Sequence, residues 1–334
     1  MATEIARRAQ LALFYKGVNL NKYTTHVVYT DHAQGQLDEL DVRLEDREGL
    51  WRGSYFPDKG DDLEAFIICL DWEEPGHKTI LKCGKFRIDE VTLQGPPDTV
   101  SIKAFSAKTD KNSRTERKIH KWEPAVLHTI AGDIAKQGGL KLVWKGHDAT
   151  WERKEQREEG DLNFLRRLCQ SVGNLVKVKD DELRVYAQSA LESQSAAHKL
   201  ILGQSWIKSY HFRTHTHDVY KGAEVKYWDY KKRELYTHVH LAEKSPKSAE
   251  MLQIKQRVEC LGDAIKLAQS SLHNKNRAEV EADFCLVGDT NLHAMNMVNL
   301  DGFGRFNGDY FIEQARHTLD SKGGYTTDLS LLKK

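Results

Sequence analysis

The sequence predicts a mostly β protein with a small α/β module inserted between two β regions. Apolar and polar residues alternate with a period of two from about residue 18 to residue 107. Helical spacing of the apolar residues replaces this alternation between about residues 117 and 186, and alternation returns from Ile207 onward. Because strands expose alternate side chains on opposite faces and helices repeat every three to four residues, the order β, α/β, β follows.

In the first β region, Leu40, Val42 and Leu44 alternate with charged neighbours. Stretches rich in proline, glycine and aspartate, such as residues 57–61, punctuate the alternating segments. This combination is typical of antiparallel strands that turn one face to water. We therefore predict a first β domain over residues 1–113.

The second region begins after a polar, charged stretch at residues 108–118, which we interpret as a linker. Pro124 is predicted to be the first residue of one helix, because proline fits the first helical position. Asp161 is predicted to be the N-cap of a second amphipathic helix. Two short apolar runs flank Asp180 and Asp181, which predicts a hairpin. The predicted α/β domain covers residues 114–198.

The third region, residues 199–334, is predicted to be a β domain with one long helix, and residues 187–199 before it resemble a second linker. The helix is indicated by apolar spacing over about residues 261–274. Glycine-containing turns separate the final strands. One face of the last strands is predicted to point into the core, and its alternating members are Tyr310, Ile312, Leu329 and Leu331.

The overall charge argues against a protein that binds nucleic acid phosphates. Lysine and arginine total 50 residues against 49 acidic residues, so the net charge is only +1. Proteins that bind DNA backbones carry a clear basic excess. We expect no sequence-specific nucleic acid partner.

Cysteine spacing and hydropathy exclude further classes of protein. The five cysteines are far apart and never form a Cys-x-x-Cys pair, unlike a disulfide framework or a zinc site. No apolar run has the length of a signal peptide or a membrane span. We expect a protein made in the cytoplasm that does not enter a membrane.

The glycine-rich stretch 302–308 superficially resembles a phosphate-binding loop. Such a loop must connect a strand to a helix, whereas strands are predicted on both sides here. We therefore interpret these glycines as a hairpin with positive φ angles.

Three histidines at His211, His215 and His217 could in principle supply metal ligands, since even spacing on a strand places them on one face. No acidic residue or cysteine lies in the immediate run, so an exposed strand face is the preferred interpretation. The sequence contains neither a Gly-x-Ser-x-Gly nor a His-Glu-x-x-His motif. We expect no catalytic residue, no cofactor and no metal.

Several blocks of the chain resemble one family. They are the closing block at residues 304–331, the stretch Glu-Gly-Asp-Leu-Asn-Phe-Leu-Arg-Arg-Leu at 159–168, the alanine-bearing segment 263–272, and the turn at 56–61. In these blocks the chain is similar to the phage late control gene D protein family. That family comprises baseplate hub proteins of contractile tails and is related to the N-terminal part of type VI secretion VgrG proteins.

The resemblance implies two tail-tube-like β-barrel domains flanking the α/β module, and a structural, non-enzymatic role in a virion tail baseplate. It implies a homotrimer whose six tube-like domains join a central spike protein to the tail tube protein. The tape-measure protein and other baseplate proteins are further implied partners. The implied turn and barrel fingerprint consists of Gly302, Gly304, Gly308, Tyr310, His317, Gly324 and Tyr325.

Two other functions were weighed against the hub. A tail-associated peptidoglycan hydrolase would be expected to show a catalytic module, and the three predicted regions leave no room for one. A secretion-system scaffold would carry a fused spike. Since the sequence stops directly after the last predicted strand, we expect the spike to be a separate protein.

Overall fold

The computed structural model describes residues 7–53, 55–72, 74–106, 118–204, 206–230, 233–242, 250–321 and 323–334. Strands predominate in these ranges, and helices are concentrated in the predicted insert and in one long segment of the third region. The predicted mostly β class with an α/β insert is therefore confirmed. The predicted linker at 108–118 lies outside the described residues, except that Lys118 begins a strand.

The elements follow in three groups. The first group is β1 Arg8–Tyr15, β2 Val18–Asn19, β3 Thr24–His32, β4 Glu39–Glu45, β5 Asp62–Leu70, β6 Lys78–Gln94 and β7 Thr99–Phe105. The insert contains β8 Lys118–Trp122, β9 Ala125–Val126, α1 Leu127–Gln137, β10 Lys141–Lys145, β11 Thr150–Trp151, β12 Lys154–Glu159, α2 Asp161–Ser171, β13 Asn174–Lys179 and β14 Glu182–Ala187. The last group is α3 Gln188–Glu192, β15 His198–Ile201, β16 Ile207–Thr214, β17 Tyr220–Asp229, β18 Glu234–Leu241, β19 Glu250–Ile254, α4 Leu261–Asn276, β20 Val280–Val287, β21 Met297–Asp301, β22 Gly308–Asp320 and β23 Gly324–Lys333.

Two predicted helix starts were wrong. Helix α1 begins at Leu127 rather than Pro124, because Ala125–Val126 pairs with Thr150–Trp151 as a short antiparallel ladder. Asp161 is the first residue of α2 and Gly160 is its N-cap. The buried Asp161 carboxylate accepts a hydrogen bond from Gln156 Nε2 at 2.8 Å.

Other predicted boundaries also differ from the structure. Strand β1 begins at Arg8, ahead of the region in which alternation was recognised. The predicted second linker, residues 187–199, contains α3 and the start of β15. Strand β15 forms within this stretch because His198–Ile201 pairs in parallel with Val298–Asp301 of β21.

A long sheet connects the first and last parts of the chain. Its strand order is β16-β20-β23-β22-β3-β4-β7-β6-β5-β1-β2, and β21 and β15 extend from β22. The joint between the predicted first and third domains is the antiparallel pairing of β22 with β3, from Gln314 opposite His32 to Asp320 opposite His26. Within the described residues the strand order does not return to its starting strand.

Two separate apolar cores lie against this sheet. The first is built by β1 and β3 to β7 and includes Leu13, Leu40 and Ile67. The second is built mainly by β20 to β23, where the predicted inward alternation of the last strands is observed. Tyr325 of β23 belongs to the first core although Leu329 of the same strand belongs to the second. The two long strands β22 and β23 therefore contribute side chains to both cores.

The insert and the α4 segment form two smaller units. In the insert, β10, β14 and β13 make a sheet that packs against α1 and α2. Its β13–β14 hairpin turns at Asp180 and Asp181, whose φ angles are +54° and +61°. In the second unit, the sheet β18-β17-β19 packs against α4.

Candidate assembly surfaces

One face of the long sheet carries charged side chains on several neighbouring strands. Near the β16 edge, Arg213 Nη2 lies 2.9 Å from Asp283 Oδ2, and Ser330 Oγ donates to Asp283 Oδ1 at 3.0 Å. One row further along the strands, Asp328 of β23 stands opposite Arg316 of β22. Unlike charges in neighbouring strands thus stand beside one another on this face, a stabilising arrangement in a sheet.

The same pattern continues across the first group of strands. Asp41 of β4 pairs in register with Lys103 of β7, and Lys103 pairs with Glu90 of β6. Lys103 Nζ also lies 3.7 Å from Glu39 Oε2. Burial raises the pKa of the Asp41 carboxyl, although the nearby Lys103 charge opposes this shift. The result is a broad surface of locally compensated charge that crosses both cores.

The long sheet has free edges at both ends. Among the described strands, β16 pairs on one side only, with β20, and residues 8–13 of β1 pair only with β5. Large apolar side chains lie beside the β16 edge, where Trp206 is 64% exposed and Tyr210 is 48% exposed. The Arg7 guanidinium lies 4.4 Å above the Trp206 ring. Unpaired edges next to exposed aromatic rings are candidate contacts with other chains.

A buried charge cluster attaches the insert to the long sheet. Lys177 of β13 is buried and its Nζ contacts Asp31 Oδ1, while a second contact to Asp38 Oδ1 measures 3.0 Å. The same ammonium group donates to the His32 carbonyl at 2.6 Å. Asp31 Oδ2 also accepts from the Ala294 N–H at 3.1 Å, so one carboxylate contacts the insert and the third region.

Neighbouring side chains satisfy the rest of this cluster. Tyr29 donates its hydroxyl hydrogen to Asp38 Oδ2 at 3.3 Å and accepts from Lys179 Nζ at 2.9 Å. Ser106 Oγ donates to the Val178 carbonyl at 3.0 Å. A buried ion cluster is tolerated only when its members are hydrogen-bonded in this way.

The pKa values of the Asp31 and Asp38 carboxyl groups shift in opposite directions. Burial would raise the pKa of Asp31, but the charges of Lys177 and Lys179 outweigh it and lower the pKa to about 2. For Asp38, burial and the charge of Asp31 outweigh Lys177, and the pKa rises to about 6. Burial opposes the charge of Lys177, yet the two aspartates raise its pKa. The lysine is therefore held as a cation.

His317 lies at the joint between the two cores. Its Nε2 donates to the Leu292 carbonyl at 3.1 Å, and its Nδ1 accepts from the Tyr325 hydroxyl at 2.8 Å. The ring stacks on Tyr29 with 5.9 Å between centroids. Burial lowers the pKa of His317 to about 3, with His293 and Lys179 adding to the shift and Asp31 opposing it. The imidazole is therefore neutral in the folded protein near pH 7.

We expect acid to destabilise the protein through His317. An unfolded histidine takes up a proton below about pH 6.5, whereas folded His317 does not until about pH 3, so stability is lost as the pH falls from 6.5. The expected loss is about 1.4 kcal/mol per pH unit for this group. Urea unfolding of His317→Gln at pH 7.0, 6.0 and 5.5 should show a weaker dependence of the unfolding free energy on pH, with the difference from wild type approaching one proton below about pH 6. An unchanged dependence of stability on pH in His317→Gln would contradict this assignment.

The structure locates each residue of the predicted turn and barrel fingerprint. The connection from β21 to β22 contains Gly302, Gly304 and Gly308 with φ angles of +89°, +62° and +133°. Tyr310 is buried in the second core and donates its hydroxyl hydrogen to the Phe306 carbonyl at 2.8 Å. Gly324, with φ of +75°, opens β23. His317 and Tyr325 meet at the joint between the cores, so the fingerprint is distributed over the β21–β22 connection, the second core, the start of β23 and that joint.

The three histidines of the possible metal cluster do not share one strand face. His211 lies exposed on β16, opposite Asp283, whereas His215 and His217 follow the end of that strand. Among the described residues, no group of three or more histidine, cysteine, aspartate or glutamate side chains has the arrangement of a metal site. In that same part of the chain, no helix has both the length and the apolar character needed to cross a membrane.

Sequence reasoning missed the Lys177 cluster. Lys177 interrupts the apolar run Leu175, Val176, Val178, and all four residues are buried. A lysine within a short strand normally indicates a solvent-facing position. Its aspartate partners lie about 140 residues away in the sequence, so local patterns could not identify the pairing.

Comparisons with known proteins give relatives for this chain, although no protein-family model matches it. It is 27% identical over 213 residues to the probable baseplate hub protein of Escherichia phage P2, covering 63% of this chain and 52% of that protein. It is also 27% identical over 169 residues to the probable baseplate hub protein of Escherichia phage 186, covering 49% and 40% respectively. The chain thus spans about half the length, or less, of the curated relatives it matches.

Solved structures share the fold. A tail protein from Neisseria meningitidis MC58 superimposes with a TM-score of 0.74 at 12% identity, covering 98% of this chain and 97% of that one. The 43 kDa tail protein of prophage MuSo2 from Shewanella oneidensis gives 0.72 at 14% identity, covering 97% and 98%. A type VI secretion system component of E. coli gives 0.61 at 9% identity, covering 96% and 76%.

Proposed function

We propose that this chain, a relative of the baseplate hub proteins of phages P2 and 186, is the structural hub of a contractile phage or phage-like tail. The observation that carries the proposal is the joint between the two cores, where β22 pairs with β3 and makes one sheet of two halves. The fold shared with phage tail proteins over nearly the whole chain supports it.

Each half of the long sheet, with its own core, is proposed to be a tail-tube-like β-barrel domain. Three copies would then supply six such domains. A ring of this kind has threefold symmetry with an approximate sixfold repeat, which would match a sixfold tube on one side and a threefold spike on the other. Head-to-tail contacts between copies close into a ring when the rotation fits.

The free edges of β16 and β1 are proposed to close this ring. Unpaired edges are adhesive, and pairing them between copies would remove that liability. The exposed Trp206 and Tyr210 beside β16 would then become buried, as aromatic residues commonly are at the centres of interfaces.

The polar face of the long sheet is proposed to line the channel of the ring. Its charges are compensated between neighbouring strands, as in the pairs of Arg213 with Asp283 and Asp41 with Lys103. The charged part of this lining would offer no long cationic stripe to a passing polymer. The role proposed for the chain is structural rather than catalytic.

The proposed partners are a second and third copy of the chain, a central spike protein, the tail tube protein, the tape-measure protein and other baseplate proteins. The proposed location is the tail baseplate of a particle assembled in the bacterial cytoplasm. The chain would act as an adaptor that holds the spike beneath the tube.

The decisive experiment is a reconstruction of the intact tail by electron cryomicroscopy. We expect three copies of the chain in a ring at the hub, with β16 of one copy beside β1 of the next. One copy or six copies at this level would contradict the proposal. Three copies joined through other surfaces would agree with the hub role and contradict the proposed contact between β16 and β1.

A further inference from the structure

A cleft of about 520 Å³ lies where the unit formed by α4 and its sheet meets the long sheet. One wall is the last two turns of α4, which place four side chains on the cleft at helical spacing, namely Gln269, Leu272, His273 and Asn276. The end of β18 and parts of β20, β22 and β23 supply the other walls. A cleft of this volume between structural units is a common ligand site.

Hydrogen bonds hold the two sides of the cleft together. Asn276 Oδ1 accepts from the Tyr220 N–H at 2.8 Å, and Asn276 Nδ2 donates to the Tyr220 carbonyl at 2.7 Å, so the end of α4 is fastened to β17. Arg277, the next residue, donates from Nη2 to Glu313 Oε2 of β22 at 3.1 Å. The cleft is therefore formed before any ligand arrives, as most small-ligand sites are.

Much of the lining is apolar. Leu272 and Phe311 are buried, at 3% and 2% exposure, and Val280 and Leu332 are partly buried. A ligand that covers these side chains removes apolar surface from water on both partners, which favours binding. The lining thus fits a ligand with an apolar body.

Arg277 is the polar group that determines the class of ligand. Its side chain is 7% exposed, and its guanidinium carbon lies 4.9 Å from the centre of the Phe311 ring. Nη2 is bonded to Glu313, whereas Nε and Nη1 have no protein acceptor in the part of the chain that the structure describes. A guanidinium carries five N–H donors in a planar fork that matches a carboxylate, and a nearly buried donor without a partner is costly. A carboxylate in the cleft would satisfy these donors.

The acidic residue nearest the floor of α3 is already neutralised within the protein. Glu192 Oε2 lies 2.9 Å from His273 Nε2, and Glu192 Oε1 accepts from Gln188 Nε2 at 2.9 Å. Burial would raise the pKa of Glu192, but the hydrogen bonds from His273 and Gln188 and the charges of His273 and Arg277 lower it. Glu192 is thus a paired anion rather than an open acceptor for a cationic ligand.

The remaining charges limit the ligand to one negative charge. Glu279 lines the cleft two residues beyond Arg277 and would repel a ligand that carries several negative charges. Lys333 and Lys334 also line it, and Lys333 Nζ donates to the Arg305 carbonyl at 3.2 Å. With histidines neutral, the three basic residues of the lining exceed its two acidic residues by one charge.

We propose that this cleft binds a single carboxylate carried on an apolar body, with the carboxylate on Arg277 and the apolar part against Leu272 and Phe311. The C-terminal residue of a polypeptide and a free fatty acid share this chemistry. None of the described residues that line the cleft belongs to β1 or β16, so the inference does not depend on the ring contact proposed above.

The test titrates the purified full chain at pH 7 with two acids and their neutral amides, followed by ligand NMR. One pair is octanoate and octanamide, and the other is an acetylated peptide Ala-Ala-Ala-Leu with a free or an amidated C-terminus. We expect the acid of at least one pair to bind about tenfold more tightly than its amide, because only the acid forms a charge-assisted bond to the guanidinium. Tighter binding of the peptide acid would assign the cleft to a chain end, and tighter binding of octanoate to a small acid.

Two variants separate the charge from the cleft. Arg277→Gln should remove the preference for acid over amide. Gln269→Trp, at an exposed position on the α4 wall, should fill the cleft and weaken both ligands about tenfold while leaving Arg277 in place. The matched control is Arg47→Gln, since Arg47 Nε also lies near one carboxylate, 2.9 Å from Glu45 Oε2, but its side chain is 84% exposed. This control should bind both ligands like wild type.

Circular dichroism would establish that each variant is folded, and Gln269→Trp keeps the test decisive if Arg277→Gln does not fold. The proposal is overturned if neither acid binds, if acids and amides bind equally, or if Gln269→Trp binds like wild type. A preference for acid that persists in folded Arg277→Gln would overturn the assigned role of the arginine. Octyl phosphate binding more tightly than octanoate would overturn the assignment of a singly charged ligand.

Discussion

Replacing Lys177 with alanine is expected to destabilise the protein by about 3–5 kcal/mol. The lysine is buried between Asp31 and Asp38, and it also donates to the His32 carbonyl. Its removal would leave at least one buried carboxylate, that of Asp31, without its main counter-charge. An unpaired buried charge is among the most costly defects that a single substitution can create.

Urea unfolding of purified protein would measure this effect against a matched lysine. Lys141 lies on β10 in the same small sheet, 3.7 Å from Glu182, and its side chain is 77% exposed. Lys141→Ala should change stability by about 0.5 kcal/mol or less, as for other exposed ion pairs. Equal effects of the two substitutions would contradict the buried cluster. Adding Asp31→Asn and Asp38→Asn to Lys177→Met should recover part of the loss, because no buried charge would then remain there.

This cluster explains why the attachment of the insert could not be predicted from the sequence. The hairpin at Asp180 and Asp181 could be predicted, because two acidic residues between short apolar runs define a turn locally. Lys177 is only three residues away, yet its role depends on aspartates in β3 and in the loop that follows it. Sequence periodicity reports which face of a strand is buried and does not report what lies against that face.

The same distinction applies to the long sheet. The inward alternation of Tyr310 and Ile312 with Leu329 and Leu331 follows from period two within each strand. The pairing of β22 with β3 joins residues nearly 300 positions apart, and no local pattern specifies it. A division of the chain into separate first and third β domains was therefore the natural prediction, whereas the strands of the two halves share one sheet.

The second large effect is expected at Gly288, which follows β20. A Cβ atom there would lie 2.0 Å from Tyr325 Cδ1 and 2.2 Å from Tyr325 Cγ. Neither partner can move easily, because the Gly288 N–H donates to the Tyr325 carbonyl at 2.9 Å and the Gly288 carbonyl accepts from Trp72 Nε1 at 2.6 Å. The Tyr325 ring is buried and its hydroxyl is bonded to His317. Gly288→Ala should therefore destabilise the protein by about 3 kcal/mol or more, at the upper end of the range for overpacking.

Gly324→Ala is the control that separates overlap from backbone strain. Gly324 has φ of +75°, and no described atom lies within 4 Å of the position its Cβ would take. Alanine there should cost about 1 kcal/mol, the usual penalty of a left-handed conformation. Urea unfolding followed by tryptophan fluorescence would compare the two, and a Gly288→Ala protein as stable as Gly324→Ala would refute the predicted overlap. Combining Gly288→Ala with Tyr325→Leu should destabilise less than the sum of the single changes, because both act on the same contact. Under the proposed hub role, Gly288→Ala should also lower the yield of assembled tails, because Tyr325 and His317 lie where β22 and β23 contribute to both cores.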